Sequence, residues 1–100
     1  MELNKEIRRA VATGKVVIGA DESLKTLKRG QAKLVIVASN CRPEVLADVQ
    51  HYAGLADLPV HTFDGNSEEL GLACGKPFLV GVLTIVEEGD SSIISLGARR

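Results

Sequence analysis

The chain has 100 residues, of which 45% are hydrophobic, 25% charged and only 3% aromatic, and its formal net charge is −1. A globular chain of this size buries about two-thirds of its unfolded surface, so one aliphatic core and a single domain over residues 1–100 are expected. No apolar run approaches the roughly 18 residues of a membrane span and the N-terminus is charged and amphipathic, which argues against a membrane partner and for a cytoplasmic location.

Leu3, Ile7, Ala10 and Val11 recur at helical spacing and Gly14 stops the pattern, predicting a helix over about 3–13. "KVVIG" is a short buried strand. A second helix follows at about 20–29, with Leu24 and Leu27 facing inward and Gly30 as its left-handed end. "KLVIVA" is a second strand, and Pro43 suits the first turn of a helix that Val45, Leu46, Val49, Tyr52 and Ala53 carry to about residue 57. "PVHTF" reads as a short strand, and "NSEELGLACG" as a fourth helix with Asn66 or Ser67 as N-cap. "LVGVLTIVE" is the longest strand candidate, "GD" a turn, and "SSIISL" a segment expected to pair back as a hairpin. This alternation predicts an α/β protein, a three-layer α/β/α sandwich around a mixed sheet of four to five strands.

Charge is unevenly distributed. Residues 1–33 hold eight bases against four acids, whereas residues 34–75 hold Arg42 alone against six acids. A local basic region on a nearly neutral protein is compatible with a nucleic-acid face. Three loops carry residues that a plain turn would not require. In "GADE", Gly19 permits close backbone approach, Asp21 and Glu22 offer acceptors, and Lys25 one turn along offers a donor. Base edges demand such a mixed set, although the two acids also complement the helix dipole by about 0.3–1 kcal/mol each. In "SNCRP", Asn40 is a two-sided hydrogen-bonder and Arg42 a fork suited to phosphate. In "CGKPF", Lys76 supplies charge and Phe78 a ring on which a base can stack, or which caps the core.

Enzymatic signals are weak by comparison. Cys41 just before a helix start is placed where the dipole favours a thiolate, the basis of a rival reading as a thiol-dependent carrier or transferase. No histidine adjoins it, however, and six places on stands Ala47 where a phosphate-cradling Cys-x5-Arg loop needs arginine. Cys41 and Cys74 form no metal-ligand cluster, His51 and His61 belong to no recognisable triad, and there is no Walker loop or GxGxxG. No cofactor, no metal and no catalytic residue are expected.

The order of these loops has a parallel. "TGKVVIGADESLKTLKRGQAKLVIVASNCRP" followed by "ADLPVHTFDGNSEELGLACGKPFLVGVLTIVEEGDSSI" resembles the thirty-e family of archaeal and eukaryotic large-subunit ribosomal proteins, a branch of a superfamily of kink-turn RNA binders. The likeness runs from about Ile7 to Leu96, and "ELGxxxGKPF" with "VxxLxIVExGDS" favours the thirty-e branch. The resemblance implies an α/β/α fold that binds sharply bent ribosomal RNA with sheared G·A pairs. It implies contacts at Gly14 and Lys15, at Gly19, Ala20, Asp21, Glu22 and Lys25, at Asn40, Arg42 and Pro43, and at Lys76, Pro77 and Phe78. Lys28 and Arg29 join Lys15, Arg42 and Lys76 as expected phosphate partners. Kink-turn relatives carry Asn-Glu where this chain has Asp21-Glu22, and a carboxylate cannot donate to guanine O6. Expected partners are ribosomal RNA and neighbouring ribosomal proteins around a chain that is monomeric when free; the alternative is a free-standing kink-turn protein of another ribonucleoprotein.

Overall fold

A computed structural model describes residues 2–95. Helix α1 (Leu3–Thr13) leads into β1 (Lys15–Ile18), α2 (Ala20–Lys28), β2 (Leu34–Val37), α3 (Pro43–Leu55), β3 (Val60–Thr62), α4 (Ser67–Ala73) and β4 (Val82–Glu87). The order β1-β4-β2-β3 makes one mixed sheet, in which β4 runs antiparallel to both β1 and β2, and β3 runs parallel to β2. It follows that β1, β2 and β3 share one direction.

Alternate strand residues build two cores. Leu34, Ile36, Leu83 and Ile85 pack with Ile7 and Ala10 of α1 and Leu70 and Ala73 of α4. Val35, Val37 and Val82 pack on the other face with Leu27 of α2 and Val49 of α3. The three-layer α/β/α sandwich is thus realised with two helices per face. All four residues of β2 are buried, as befits a central strand covered on both sides.

Local chemistry explains three of the helix ends. Gly30 ends α2 with φ +69°, and Pro43 opens α3 at a position where its missing N–H costs nothing. Asn66 is the N-cap of α4 in a reciprocal capping box: its side chain accepts the Glu69 N–H at 2.9 Å while Glu69 accepts the Asn66 N–H at 3.0 Å.

Two expectations need correction. Residues 79–81 of "LVGVLTIVE" precede the strand, because the backbone there turns to meet neighbouring loops: Val80 N–H donates to the Ser67 carbonyl at 3.0 Å and Ala38 N–H to the Gly81 carbonyl at 2.9 Å. "SSIISL" forms no hairpin over residues 91–95, and Leu96 lies outside the described residues. Ser91 instead donates its hydroxyl to the Glu6 carbonyl at 2.7 Å, and Ile93 is buried in the α1/α4 core. Four strands are therefore present among the described residues.

Candidate functional site

Because β1, β2 and β3 are parallel, the chain leaves each at the same edge of the sheet and turns into a helix there. The edge holds Gly19 before α2, residues 38–42 before α3, and residues 63–66 before α4. Antiparallel β4 enters at this edge, which brings residues 79–81 to it as well. Loops at the carboxyl ends of parallel strands are the usual place for a ligand in such sheets.

Main-chain bonds lock these loops together. Gly19 N–H donates to the Val82 carbonyl at 2.9 Å, and Ser39 N–H to the Gly65 carbonyl at 2.8 Å. Asn40 Oδ1 accepts the Ser67 N–H at 2.8 Å, and its Nδ2 donates to Ser67 Oγ at 3.4 Å. Between them lies a cavity of about 280 Å³ lined by Gly19, Ala20, Asn40, Cys41, Arg42, Val45, Ser67, Leu79, Gly81 and Val82.

Gly19, with φ +108°, adopts a backbone that side chains rarely tolerate, and nothing stands within 4 Å of where a Cβ would sit, so a partner can approach closely. Asp21 and Glu22 are exposed in the first turn of α2, and Glu22 pairs with Lys25 at 3.5 Å. Arg42 is exposed at the start of α3 within 3.7 Å of Glu44. Pro43 follows it as the first helical residue.

Lys76, Pro77 and Phe78 form the wall of an adjoining apolar groove with Glu68, Leu72 and Leu79, so Leu79 joins the two hollows. Phe78 is 54% exposed, Leu72 64% and Leu79 69%. Exposed apolar clusters of this kind are a feature of interaction surfaces. The position of this one depends on Gly71: a Cβ there would run into the Phe78 carbonyl, so only glycine lets this segment cross α4 so closely.

Other candidates lie apart. Gly14 and Lys15 stand at the opposite end of β1, about 13 Å along the strand from Gly19. Gly14 is explained by packing, since a Cβ there would strike the Glu87 carbonyl and the Glu88–Gly89 backbone. Lys28 and Arg29 end α2 at that far edge, where Lys28 Nζ lies 5.0 Å from the centre of the Tyr52 ring. Lys15 and Arg29 nevertheless line one groove beside α2, together with Glu22, Thr26 and Glu87. The basic excess of the first 33 residues is also partly paired off, because Lys33 bonds Glu87 and Glu88 at 3.4 and 3.0 Å and Arg9 lies 3.6 Å from Glu6.

Sequence reasoning missed Ser67, Leu72, Leu79 and Gly81. Leu79 reads in sequence as the start of a strand, and Ser67 as one of two candidate helix caps. As for Cys41, burial is the main cause that pushes its thiol above the ordinary range, with Glu44 adding to this and Arg42 opposing. The neutral thiol is favoured, contrary to what a nucleophilic carrier would need.

A family model described as the ribosomal protein L7Ae/L30e/S12e/Gadd45 family matches residues 1–95. The chain is 45% identical over 94% of its length to large ribosomal subunit protein eL30 of Methanopyrus kandleri, covering 86% of that protein. It is 45% identical over 96% of its length to eL30 of Methanothermobacter thermautotrophicus and 46% identical over 96% to that of Methanosphaera stadtmanae, covering 98% of each.

Proposed function

The chain belongs to the ribosomal protein L7Ae/L30e/S12e/Gadd45 family, and from that premise we propose that it is a non-enzymatic structural component of the large ribosomal subunit in the cytoplasm, gripping a kink-turn-like ribosomal RNA with the loops at the carboxyl edge of its sheet. One observation carries the reading. Three parallel strands and the entry to β4 deliver their loops to a single cavity, lined by Gly19, Asn40, Arg42 and Ser67 and adjoining the groove of Lys76, Pro77 and Phe78.

Roles follow from chemistry and position. Arg42 and Lys76 flank the edge and orient the RNA through phosphates, which position without carrying sequence information. Glu22, Lys25 and Asn40 address base edges, while Ala20 and Gly19 leave room for the approach. Phe78 receives an extruded base, in keeping with RNA recognition through splayed, stacked nucleotides. The groove beside α2 offers Lys15 and Arg29 to phosphates of a stem leaving the edge. Lys28 stands beyond it over Tyr52 and adds to the field. Neighbouring ribosomal proteins are the remaining partners of a chain that is monomeric when free.

The test is a gel-shift titration of the full chain against a kink-turn RNA and a control with its G·A pairs changed to Watson–Crick pairs, at two salt concentrations. Preference for the kink-turn, with log affinity falling linearly with log salt, is expected. Equal binding to both RNAs overturns the reading, as does a footprint that leaves the carboxyl edge open to solvent.

A further inference from the structure

We propose, independently of the RNA reading, that the outer edge of β1 is a docking site for an extended protein segment, which adds to the sheet as an antiparallel strand with acidic side chains on the α2 side. β1 stands first in the order β1-β4-β2-β3 and has a neighbour on one side only. Such an edge is a template for a further strand. At the opposite end of the sheet, β3 is three residues long and follows Pro59, which has no N–H to offer a partner. β1 is longer and carries no proline.

The ladder decides which backbone groups of β1 are open. In an antiparallel pair, residues that exchange hydrogen bonds alternate with residues whose N–H and C=O turn outward. Gly19 N–H donates to the Val82 carbonyl at 2.9 Å, and the register sets Ile18 against Leu83 and Val17 against Thr84. The bonded residues are therefore Gly19 and Val17. On the other side of β4, Ala38 N–H donates to the Gly81 carbonyl at 2.9 Å, with Ile36 set against Leu83 and Leu34 against Ile85. By the same alternation, Leu83 and Ile85 turn their backbone groups to β2. Ile18 and Val16, opposite Leu83 and Ile85, are left with N–H and C=O directed away from the sheet. Two donors and two acceptors, two residues apart, match one edge of an extended chain.

The flanking side chains define what that segment carries. Val16 and Ile18 pack against the core covered by α1 and α4. Lys15 and Val17 lie on the other face and line the groove beside α2 with Arg29. Both carboxylates of this groove are engaged, Glu22 by Lys25 at 3.5 Å and Glu87 by Lys33 at 3.4 Å. Lys15 and Arg29 form no ion pair among the described residues. Residues opposed across an antiparallel pair share a face. A segment alternating aliphatic and acidic residues thus sets aliphatic ones opposite Val16 and Ile18, and an acidic one opposite Val17 on the side of Lys15 and Arg29. A long RNA stem reaching these two cations competes with it, whereas a short kink-turn at the carboxyl edge does not.

The probe is an acetylated and amidated heptapeptide alternating valine and glutamate, titrated into the full chain without RNA and followed by backbone amide NMR. In the free chain the amides of Val16 and Ile18 should exchange with solvent about tenfold faster than that of Val17, and peptide should shift their signals and slow their exchange. In this register only the valine N–H groups of the peptide face β1. N-methylation of the valines should therefore weaken binding about tenfold, and N-methylation of the glutamates by about twofold or less. The reverse pattern, equal loss from both, or no saturable shift at Val16 and Ile18 overturns the proposal. So does self-association of the free chain that already protects these two amides, because the occupant is then a second copy. A peptide with lysine in place of glutamate should bind about threefold more weakly, and Lys15→Glu should remove that difference. Equal binding of the two peptides by the native chain overturns the proposal, as does an undiminished difference in folded Lys15→Glu. If melting shows Lys15→Glu to be unfolded, the methylated peptides, which need no variant, decide alone.

Discussion

The carboxylate of Glu6 accepts the backbone N–H of Ser92 at 2.8 Å across 86 positions of sequence, fastening the chain after β4 to the first helix. Ser91 reinforces the clasp, donating to the Glu6 backbone carbonyl at 2.7 Å and lying 3.1 Å from its carboxylate. Thr13 adds a second tie, accepting the Asp90 N–H at 2.9 Å. β4 has β1 on one edge and β2 on the other, and these bonds hold the following segment against α1 instead.

This clasp makes stability sensitive to acid. The Ser92 N–H is the chief cause that holds the Glu6 carboxyl below the ordinary range, and burial opposes it. A carboxyl depressed in the folded state stays charged there after the unfolded chain has taken up its proton, so the stabilisation is full above the ordinary carboxylate pKa and is lost as pH falls through the depressed one. Thermal melts from neutral into acid pH should show this loss in the native chain and a flatter profile in Glu6→Gln. Ser91→Ala should cost about 1–3 kcal/mol at neutral pH by removing a buried donor from the network.

Two helical glycines should respond oppositely to alanine. Gly54→Ala in α3 meets nothing within 4 Å and should stabilise by about 0.5–1 kcal/mol. Gly71→Ala in α4 would drive a Cβ into the Phe78 carbonyl and should destabilise by about 1–3 kcal/mol in spite of the better helix former. Denaturant melts give both values. RNA affinity should fall only for Gly71→Ala, which displaces the segment carrying Lys76 to Phe78.

At that segment, Phe78→Ala should separate binding from stability. Phe78 is more than half exposed, so little core packing is lost. Loss of a stacking platform costs about 1–3 kcal/mol of RNA binding. A gel shift beside a melting curve checks the pair, and unchanged affinity would remove Phe78 from the site.

Charge substitutions should grade with distance from the edge. Arg42→Ala should weaken binding to kink-turn and duplex RNA alike and reduce the slope of log affinity against log salt by about one. Joint removal of Lys15 and Arg29 should lower the slope only for RNAs whose stem is long enough to follow the α2 groove. A titration series over stem lengths reads this directly.

Both thiols should behave as bystanders. Burial pushes Cys74 up to about 11 and raises Cys41 as well. Alkylation at neutral pH should be slow for Cys41 and slower for buried Cys74. Cys41→Ser should bind RNA as the native chain does; fast alkylation with loss of binding would reopen the carrier reading.

Sequence alone determined what short-range physics controls. Helical periodicity, Pro43 at a helix start, Gly30 at a helix end and the Asn66/Glu69 cap each act within a few residues, so elements and the three candidate loops were legible. Strand pairing was not, because β2 is apolar on both faces and carries no alternation to say which side meets which helix. The order β1-β4-β2-β3 decided which loops share an edge, leaving Lys15 and Lys28 at the other end. The fate of "SSIISL" and of the Asn40 amide likewise turned on partners far along the chain, Glu6 and Ser67. Hydrogen bonds between residues so distant in sequence are fixed by packing, and local pattern holds no record of them.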